Sequence, residues 1–230
     1  MSNCTGFAAT SSDAPLSPFA FERREPGQDD IEIEILFCGV CHSDLHLVRN
    51  DWYHTAYPCV PGHEIVGRIT RLGENVQTFV IGQNVAVGDI IDSCRACEPC
   101  CAGEENYCEP GFMHASSSPD PVLGGHTHGG YSTHIVVDQR YVLRLAEGID
   151  LAATAPLLCA GVTVWSPLRH WNVQAGSSIG VVGLGGARPS RRPDRKRDGR
   201  AGDRLHLIRT QKGGRIETWR GRRYPRLQRR

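Results

Sequence analysis

Four cysteines in one short segment constrain the fold of this chain more than any other feature of its sequence. Cys94, Cys97, Cys100 and Cys108 follow one another with two, two and seven residues between them. Four thiolates spaced so closely can complete a tetrahedral zinc site without ligands from elsewhere. The first two spacings also open a bacterial iron–sulfur run, although the last spacing fits that run poorly. We therefore predict a structural zinc lobe at about residues 92–110, with an iron–sulfur cluster as the alternative.

A second set of candidate ligands is distributed over three separate segments. Cys41 lies in the motif Gly-Val-Cys-His-Ser-Asp, His63 in Pro-Gly-His-Glu, and Cys159 in Leu-Cys-Ala-Gly. Taken singly, such a cysteine is more often a small buried hydrophobic residue, and such a histidine a hydrogen-bonded core residue. Taken together, two thiolates and one imidazole leave the fourth zinc position open, which is typical of a catalytic site.

The composition indicates a globular chain with two oppositely charged parts. Of the 230 residues, 40% are hydrophobic, and no apolar run reaches the roughly 18 residues of a membrane span. Ten cysteines, without a signal-peptide pattern, favour metal binding in a reducing cytoplasm over disulfides. Residues 187–230 hold 15 Arg and 2 Lys against four acidic residues, a net charge of +13, whereas residues 1–186 carry −12. Such an asymmetry suggests a nucleic-acid-binding tail or two segments of different origin.

Short β-branched segments separated by Gly and Pro turns predict a small β-barrel. The predicted strands cover residues 19–25, 31–37, 65–69, 84–87 and 135–137. The stretch 150–170 is rich in Ala and Leu, with Pro156 near its start, and is predicted to contain a helix. Beyond it, the apolar run 178–182 enters a glycine turn that contains Gly183, Gly185 and Gly186. This pattern resembles the first strand and turn of a dinucleotide-binding unit.

In this order, the motifs resemble those of zinc-dependent medium-chain alcohol dehydrogenases over about residues 8–186. Gly-Gly-Tyr-Ser at 129–132 and Ala-Pro-Leu-Leu-Cys-Ala-Gly at 155–161 strengthen the resemblance, which is greatest to the cinnamyl-alcohol-dehydrogenase-like, NADP-linked aldehyde reductase branch. The resemblance implies a mainly β fold with some α. A GroES-like β-barrel catalytic domain with its structural zinc lobe would occupy residues 1–175, and a truncated stub of a Rossmann α/β domain residues 176–186.

The resemblance also implies a role for each candidate residue. The implied zinc ligands are Cys41, His63 and Cys159 at a catalytic ion that Glu64 can approach, and Cys94, Cys97, Cys100 and Cys108 at a structural ion. Asp44 would orient His63, while Ser43 and His46 would relay the alcohol proton. The implied cofactor and substrate contacts are His42, Thr163, Gly183, Gly185 and Gly186 for NADP, and Trp52 for the substrate. The implied reaction is reversible hydride transfer between NADP(H) and a primary alcohol or aldehyde.

The resemblance ends at about residue 186. In the glycine motif of this family, the third glycine permits close helix–strand packing, but Arg188 stands in its place. Pro189 and Pro193 follow where a helix should run. A one-base slip of the reading frame would restore the glycine, a helix and a second strand. We therefore interpret residues 187–230 as a frame-shifted, basic tail that is disordered or non-native.

Two functional hypotheses follow. The first is an alcohol dehydrogenase that acts on a small alcohol or aldehyde, with activity impaired by the incomplete cofactor site. The alternative is a non-enzymatic zinc-binding remnant whose basic tail binds nucleic acid through phosphate contacts. Under the first hypothesis we expect neither a membrane nor a nucleic-acid partner. An unpaired strand edge at residues 179–182 would allow a homo-oligomer to form.

Overall fold

The computed structural model describes residues 1–174, 177, 179–182 and 206–208. The chain divides into two compact units, Met1–Cys159 and Ala160–Arg230. The first unit therefore ends before the boundary at residue 175 that the sequence suggested. All candidate metal ligands belong to the first unit.

The first unit is built mainly from strands. Its strands are β1 (Ser2–Ala8), β2 (Ser17–Arg23), β3 (Asp30–Cys38), β4 (Ile65–Leu72), β5 (Asn84–Val87), β6 (Ile90–Asp92), β7 (Met113–His114), β8 (His134–Asp138) and β9 (Leu143–Arg144). Its α-helices are α1 (His42–Val48), α2 (Glu98–Cys101) and α3 (Leu151–Thr154). This content confirms the predicted class, mainly β with some α.

A five-stranded antiparallel sheet, in the order β8-β3-β4-β5-β9, forms the centre of this unit. On β3, Ile31 and Ile33 alternate with partly exposed glutamates, and both isoleucines are buried. They join an apolar cluster on one face of the sheet, because alternate side chains of a strand point to the same side. The predicted strands at 31–37, 65–69, 84–87 and 135–137 lie within β3, β4, β5 and β8, as the alternation indicated.

The N-terminal hairpin differs from the expectation. The strand predicted at 19–25 lies two residues earlier, as β2, because it pairs in register with β1 from Ser2↔Arg23 to Ala8↔Ser17. The sequence analysis did not predict β1. The described residues form two further two-stranded pairings, β6 with β7 in the first unit and β10 (Gly180–Val182) with β11 (His206–Ile208) in the second.

The opposite face of the central sheet positions the end of the first unit. Val66 and Ala86 point to this face and pack against Ala155. Ala155 begins a 3₁₀ turn, Ala155–Leu158, that directly follows α3. The stretch 150–170, predicted to contain a helix, therefore holds two α-helices, Leu151–Thr154 and Ala160–His170, with this turn between them. Pro156 cannot donate an intrahelical hydrogen bond, and it lies in the first positions of the turn that leads into Cys159.

The described part of the second unit contains α4 (Ala160–His170), β10 (Gly180–Val182) and β11 (His206–Ile208). β10 and β11 pair in parallel, and β11 falls in the segment expected to be a disordered or non-native tail. Gly183, Gly185 and Gly186 lie outside the described residues. Within the described part, no single helix is long and apolar enough to cross a membrane; only residues 151–158 and 160–170, as a bent pair, reach that length and composition.

We predict that Ile33→Ala lowers the free energy of unfolding by about 2–5 kcal/mol, because it leaves a cavity in the sheet core. Urea denaturation followed by circular dichroism measures this change. Val80→Ala is the matched control, since the Val80 side chain is 65% exposed, and we expect it to have almost no effect. Equal destabilisation by both variants would contradict the assignment of Ile33 to the core.

Candidate metal centre

Cys41 is presented by the start of helix α1. It is the N-cap residue of this helix, and its Sγ accepts a hydrogen bond from Ser43 N at 3.5 Å. Asp44 Oδ2 in turn accepts a hydrogen bond from Cys41 N at 2.9 Å. This reciprocal capping box satisfies backbone donors that the first helical turn leaves unpaired. The thiol of Cys41 is therefore held by the same local sequence that starts the helix.

His63 is oriented by the carboxylate of Asp44. His63 Nδ1 lies 2.9 Å from Asp44 Oδ1, and the Asp44 residue is only 4% exposed. A carboxylate on Nδ1 places the proton there and leaves Nε2 as the ligand atom. Burial disfavours the charged imidazole, but the hydrogen bond and charge of Asp44 outweigh it and raise the pKa of His63 to about 9.

Glu64 directs a carboxylate oxygen into the same space. The residue is 2% exposed, and its Oε2 has no hydrogen-bond partner among the described residues. Burial raises the pKa of Glu64. A Cβ at Gly39 would collide with Glu64 Oε2, so a residue without a side chain is needed there. An unpartnered buried carboxyl oxygen fits a site that would hold a cation.

Cys159 completes the donor set. Its Sγ lies 3.7 Å from Cys41 Sγ, close to the separation of about 3.8 Å expected for two thiolates that share one tetrahedral zinc ion at about 2.3 Å. The ligand atoms of Cys41, His63, Glu64 and Cys159 all lie within 4.8 Å of one another. Hydrogen bonds from Ser43 overcome burial and lower the pKa of Cys41, whereas burial, together with Cys41, raises that of Cys159 to about 12. The geometry and the donor types fit zinc.

The four-cysteine segment forms a separate cluster. The Sγ atoms of Cys94, Cys97, Cys100 and Cys108 lie within 4.8 Å of one another. Backbone N–H groups of Ala96 and Cys97 lower the pKa of Cys94 to about 6, which favours the thiolate that a metal requires. The neighbouring Cys101 is exposed and lies with its Sγ 3.7 Å from Ala96 O, outside the cluster. Four thiolates and no other ligand are typical of a structural zinc site.

The residues expected in the proton relay and the substrate pocket follow along α1 and the turn after it. Ser43 Oγ lies 3.6 Å from Cys41 Sγ. His46 Nδ1 contacts Asp51 Oδ2 at 2.7 Å, and the rings of His46 and Trp52 lie 5.5 Å apart. A cleft of about 720 Å³ reaches Cys41 and Asp44. Trp52 does not line this cleft, so its role as a pocket wall stays a prediction.

Two of the predicted cofactor residues lie in different units. His42 is exposed at the first position of α1, and its ring lies 5.1 Å from that of His46. Thr163 is exposed on α4 in the second unit. Their roles towards NADP stay predictions.

Comparison with known families matches residues 27–147 to the alcohol dehydrogenase GroES-like domain. The chain belongs to this family. The predicted resemblance is thereby confirmed, and so is the GroES-like assignment of the fold.

Relatives of this GroES-like chain carry the names of alcohol and aldehyde dehydrogenases. Aldehyde reductase YahK of Escherichia coli (strain K12) is 55% identical over 179 residues, which cover 77% of this chain and 51% of YahK. The structure of a cinnamyl alcohol dehydrogenase, SbCAD4 from Sorghum bicolor, matches with a TM-score of 0.78 and 45% identity. The match covers 81% of this chain and 53% of the SbCAD4 chain. The crystal structure of CAD from Helicobacter pylori, complexed with NADP(H), matches with a TM-score of 0.78 and 40% identity. The match covers 80% of this chain and 53% of that chain. This chain spans about half the length of the curated relatives that it matches.

Sequence reasoning missed three residues at or near this GroES-like metal centre. Asp51 contacts His46, and Tyr131 donates to Asp44 Oδ2 at 3.3 Å. Asp89 contacts His114 Nδ1 through Oδ2 at 2.7 Å, and its charge contributes to the raised pKa of His63. The Gly-Gly-Tyr-Ser motif was a usable signal for Tyr131. No sequence pattern joins Asp89 to His114, because their contact depends on the pairing of β6 with β7.

We predict that Asp89→Asn lowers the pKa of His114, because the hydrogen bond with Asp89 is the main cause that raises it. A raised folded-state pKa means that the pair stabilises the protein below the unfolded histidine pKa of about 6.5, and that this contribution disappears as the pH rises through the folded-state pKa. NMR titration of the imidazole resonances measures the shift. His54, whose Nδ1 faces the Trp52 carbonyl oxygen, serves as the internal control. An unchanged His114 titration would contradict the ion pair.

Proposed function

We propose that this chain is the zinc-binding, catalytic-domain part of an NADP-linked alcohol dehydrogenase that interconverts a primary alcohol and its aldehyde. The observation that carries the proposal is the convergence of Cys41, His63 and Cys159, with sulfur atoms 3.7 Å apart and Glu64 beside them. Three nitrogen and sulfur ligands plus an exchangeable carboxylate suit a catalytic rather than a structural ion. The names of the relatives support NADP and a small alcohol or aldehyde as the reactants.

The reaction would use two groups besides the protein side chains, a zinc ion and NADP(H). Zinc, held by Cys41, His63 and Cys159, would supply Lewis acidity for the carbonyl or alcohol oxygen. NADP(H) would supply the hydride. Asp44 keeps the proton on His63 Nδ1, so Nε2 stays a ligand. Glu64 offers a carboxylate that can exchange with an oxygen ligand, since its Oε2 makes no other hydrogen bond among the described residues.

The proton of the alcohol would leave through Ser43 and His46. Ser43 Oγ lies beside Cys41 Sγ and can accept this proton while it passes its own hydroxyl proton onward. His46 binds Asp51 through Nδ1, which leaves Nε2 free to exchange protons with solvent. The Asp51 carboxylate holds the His46 ring in one orientation through this contact.

The alternative function is a zinc-binding remnant without turnover. One observation favours it: Arg188 replaces the third glycine of the dinucleotide turn. The charge of +13 on residues 187–230 would then provide affinity for nucleic acid. All ten cysteines lie in the described part and are free, which supports the cytoplasm as the compartment for either function. Self-association through residues 179–182 is a separate hypothesis that sedimentation can test.

We predict that the purified chain binds two zinc ions and that Cys159→Ser retains only one of them. The variant loses a thiolate from the open set but leaves the four-cysteine cluster intact. Zinc per chain, measured by plasma mass spectrometry after dialysis, gives the result. Cys101→Ser is the matched control and should retain both ions, because Cys101 lies outside the cluster. A wild-type chain that holds a single zinc ion would contradict the open site.

We predict that NADPH binds and reduces an aromatic aldehyde slowly, and that His46→Gln lowers this rate by about 10²-fold or more, since it removes a general base. Turnover should be slow because Arg188 replaces the third glycine of the motif, the residue that permits close helix–strand packing in a dinucleotide-binding unit. Fluorescence titration with NADPH and its oxidation in the presence of benzaldehyde are the measurements. Two bound zinc ions without NADPH binding would support the remnant instead. Steeply salt-dependent duplex binding that deletion of residues 187–230 abolishes would add the nucleic-acid role.

A further inference from the structure

The carboxylate of Asp44 accepts more hydrogen bonds than its contact with His63 requires. Two donors reach each of its oxygens, and all four distances fall between 2.9 and 3.3 Å. The donors are Cys41 N, Gly62 N, His63 Nδ1 and Tyr131 Oη. Three of them belong to the segments that carry the first two metal ligands. The fourth, the hydroxyl of Tyr131, comes from a distant part of the chain.

Tyr131 is fixed against the segment that carries His63. Its backbone N donates to Pro61 O at 2.9 Å, and Gly130 N donates to Gly62 O at 2.8 Å. On the other side, Phe7 N donates to Tyr131 O at 2.9 Å. The hydroxyl then reaches Asp44 Oδ2, with Gly39 O as a second, more distant acceptor at 3.5 Å.

The loop that carries Tyr131 is fixed from outside the metal centre. The guanidinium of Arg23, on β2, donates four hydrogen bonds to this loop at 2.7–3.1 Å. The acceptors are His128 O, Gly129 O, Ser132 Oγ and His134 O. The loop that positions the Tyr131 hydroxyl is therefore held by the β1–β2 hairpin as well as by the segment that carries His63.

We propose that Tyr131 is a positioning residue of the open metal site: its hydroxyl fixes Asp44 Oδ2, so that Oδ1 holds the His63 ring with Nε2 directed at the metal. This inference rests on the proposed function, because it assumes that zinc binds at Cys41, His63 and Cys159. The physical reason is that a buried carboxylate keeps one orientation only while each oxygen has its donors. Without the hydroxyl, Oδ2 keeps Cys41 N alone, and the carboxylate gains rotational freedom that His63 shares.

The first experiment compares Tyr131→Phe with Tyr141→Phe. Tyr131→Phe keeps the ring and removes only the hydroxyl. Tyr141 Oη lies 2.7 Å from Ser93 Oγ beside the four-cysteine cluster, so Tyr141→Phe is a matched loss of a hydroxyl remote from the open site. Competition with a chelator measures zinc affinity, and the visible spectrum of the Co²⁺-loaded protein reports ligand geometry. We expect Tyr131→Phe to bind zinc at the open site about 10–100-fold more weakly and to shift the Co²⁺ bands, whereas Tyr141→Phe does neither at that site.

A second comparison separates positioning from a purely structural role. If Tyr131 acts through Asp44, then Tyr131→Phe should have little further effect on zinc affinity in an Asp44→Asn background. Thermal unfolding of the metal-free variants reports the fold. A lower melting temperature with an unchanged Co²⁺ spectrum would assign Tyr131 to packing and overturn the proposal. Additive losses in the double variant would overturn it as well.

The outcomes also distinguish this inference from the proposed function. A wild-type chain that binds zinc at the open site, with Tyr131→Phe equal to it in affinity and spectrum, would overturn the inference and leave the proposed function standing. A wild-type chain without zinc at the open site would overturn both.

Discussion

The buried charge of Asp44 and the donors that surround it determine how the metal centre is arranged. A carboxylate taken out of water is tolerated only when hydrogen bonds replace its hydration. Here the replacing donors include the N–H groups of Cys41 and Gly62 and the ring of His63. Satisfying this one side chain therefore fixes the backbone at one thiol ligand and beside the imidazole ligand. The helix cap, the turn before β4 and the orientation of the imidazole all depend on the same carboxylate.

The antiparallel sheet explains why residues distant in sequence can share that carboxylate. β3 ends and β4 begins at a paired position, Cys38↔Ile65, and Gly39 N donates to Glu64 O at 2.9 Å just beyond it. Cys41 and His63 therefore emerge from neighbouring strand ends. Cys159 is positioned differently, because the 3₁₀ turn before it packs on the second face of the same sheet. One sheet thus delivers all three ligands, two through strand ends and one through face packing.

The sequence predicted the features that depend on a local pattern, but it did not predict those that depend on contacts between distant residues. The alternation of Ile31 and Ile33 indicated a half-buried strand, and cysteine spacing indicated the four-thiolate cluster without any tertiary information. The strand β1 was missed because its pairing with β2 is visible only in the fold. The stretch 150–170 contains helices as expected, but the 3₁₀ turn at Ala155–Leu158 that divides them was not predicted, since it depends on the packing of Ala155. The contacts of Asp51, Asp89 and Tyr131 could not be predicted, because each joins a polar side chain to a partner that no spacing rule relates to it.

The open donor set also fits a cation whose binding would contribute to the stability of the fold. Two thiolates and one carboxylate within 4.8 Å would repel one another if all three groups were ionised. Burial raises the pKa of Glu64, and that of Cys159 to about 12, which favours the protonated forms of both groups while no cation is bound. A divalent cation would replace those protons, and its affinity must therefore increase with pH while its binding adds to the stability of the folded chain. Glu64 Oε2 is buried beside Gly39, and no donor in the described part of the chain hydrogen-bonds to it. The Gly39–Glu64 contact is therefore part of the candidate metal site, together with the three candidate ligands.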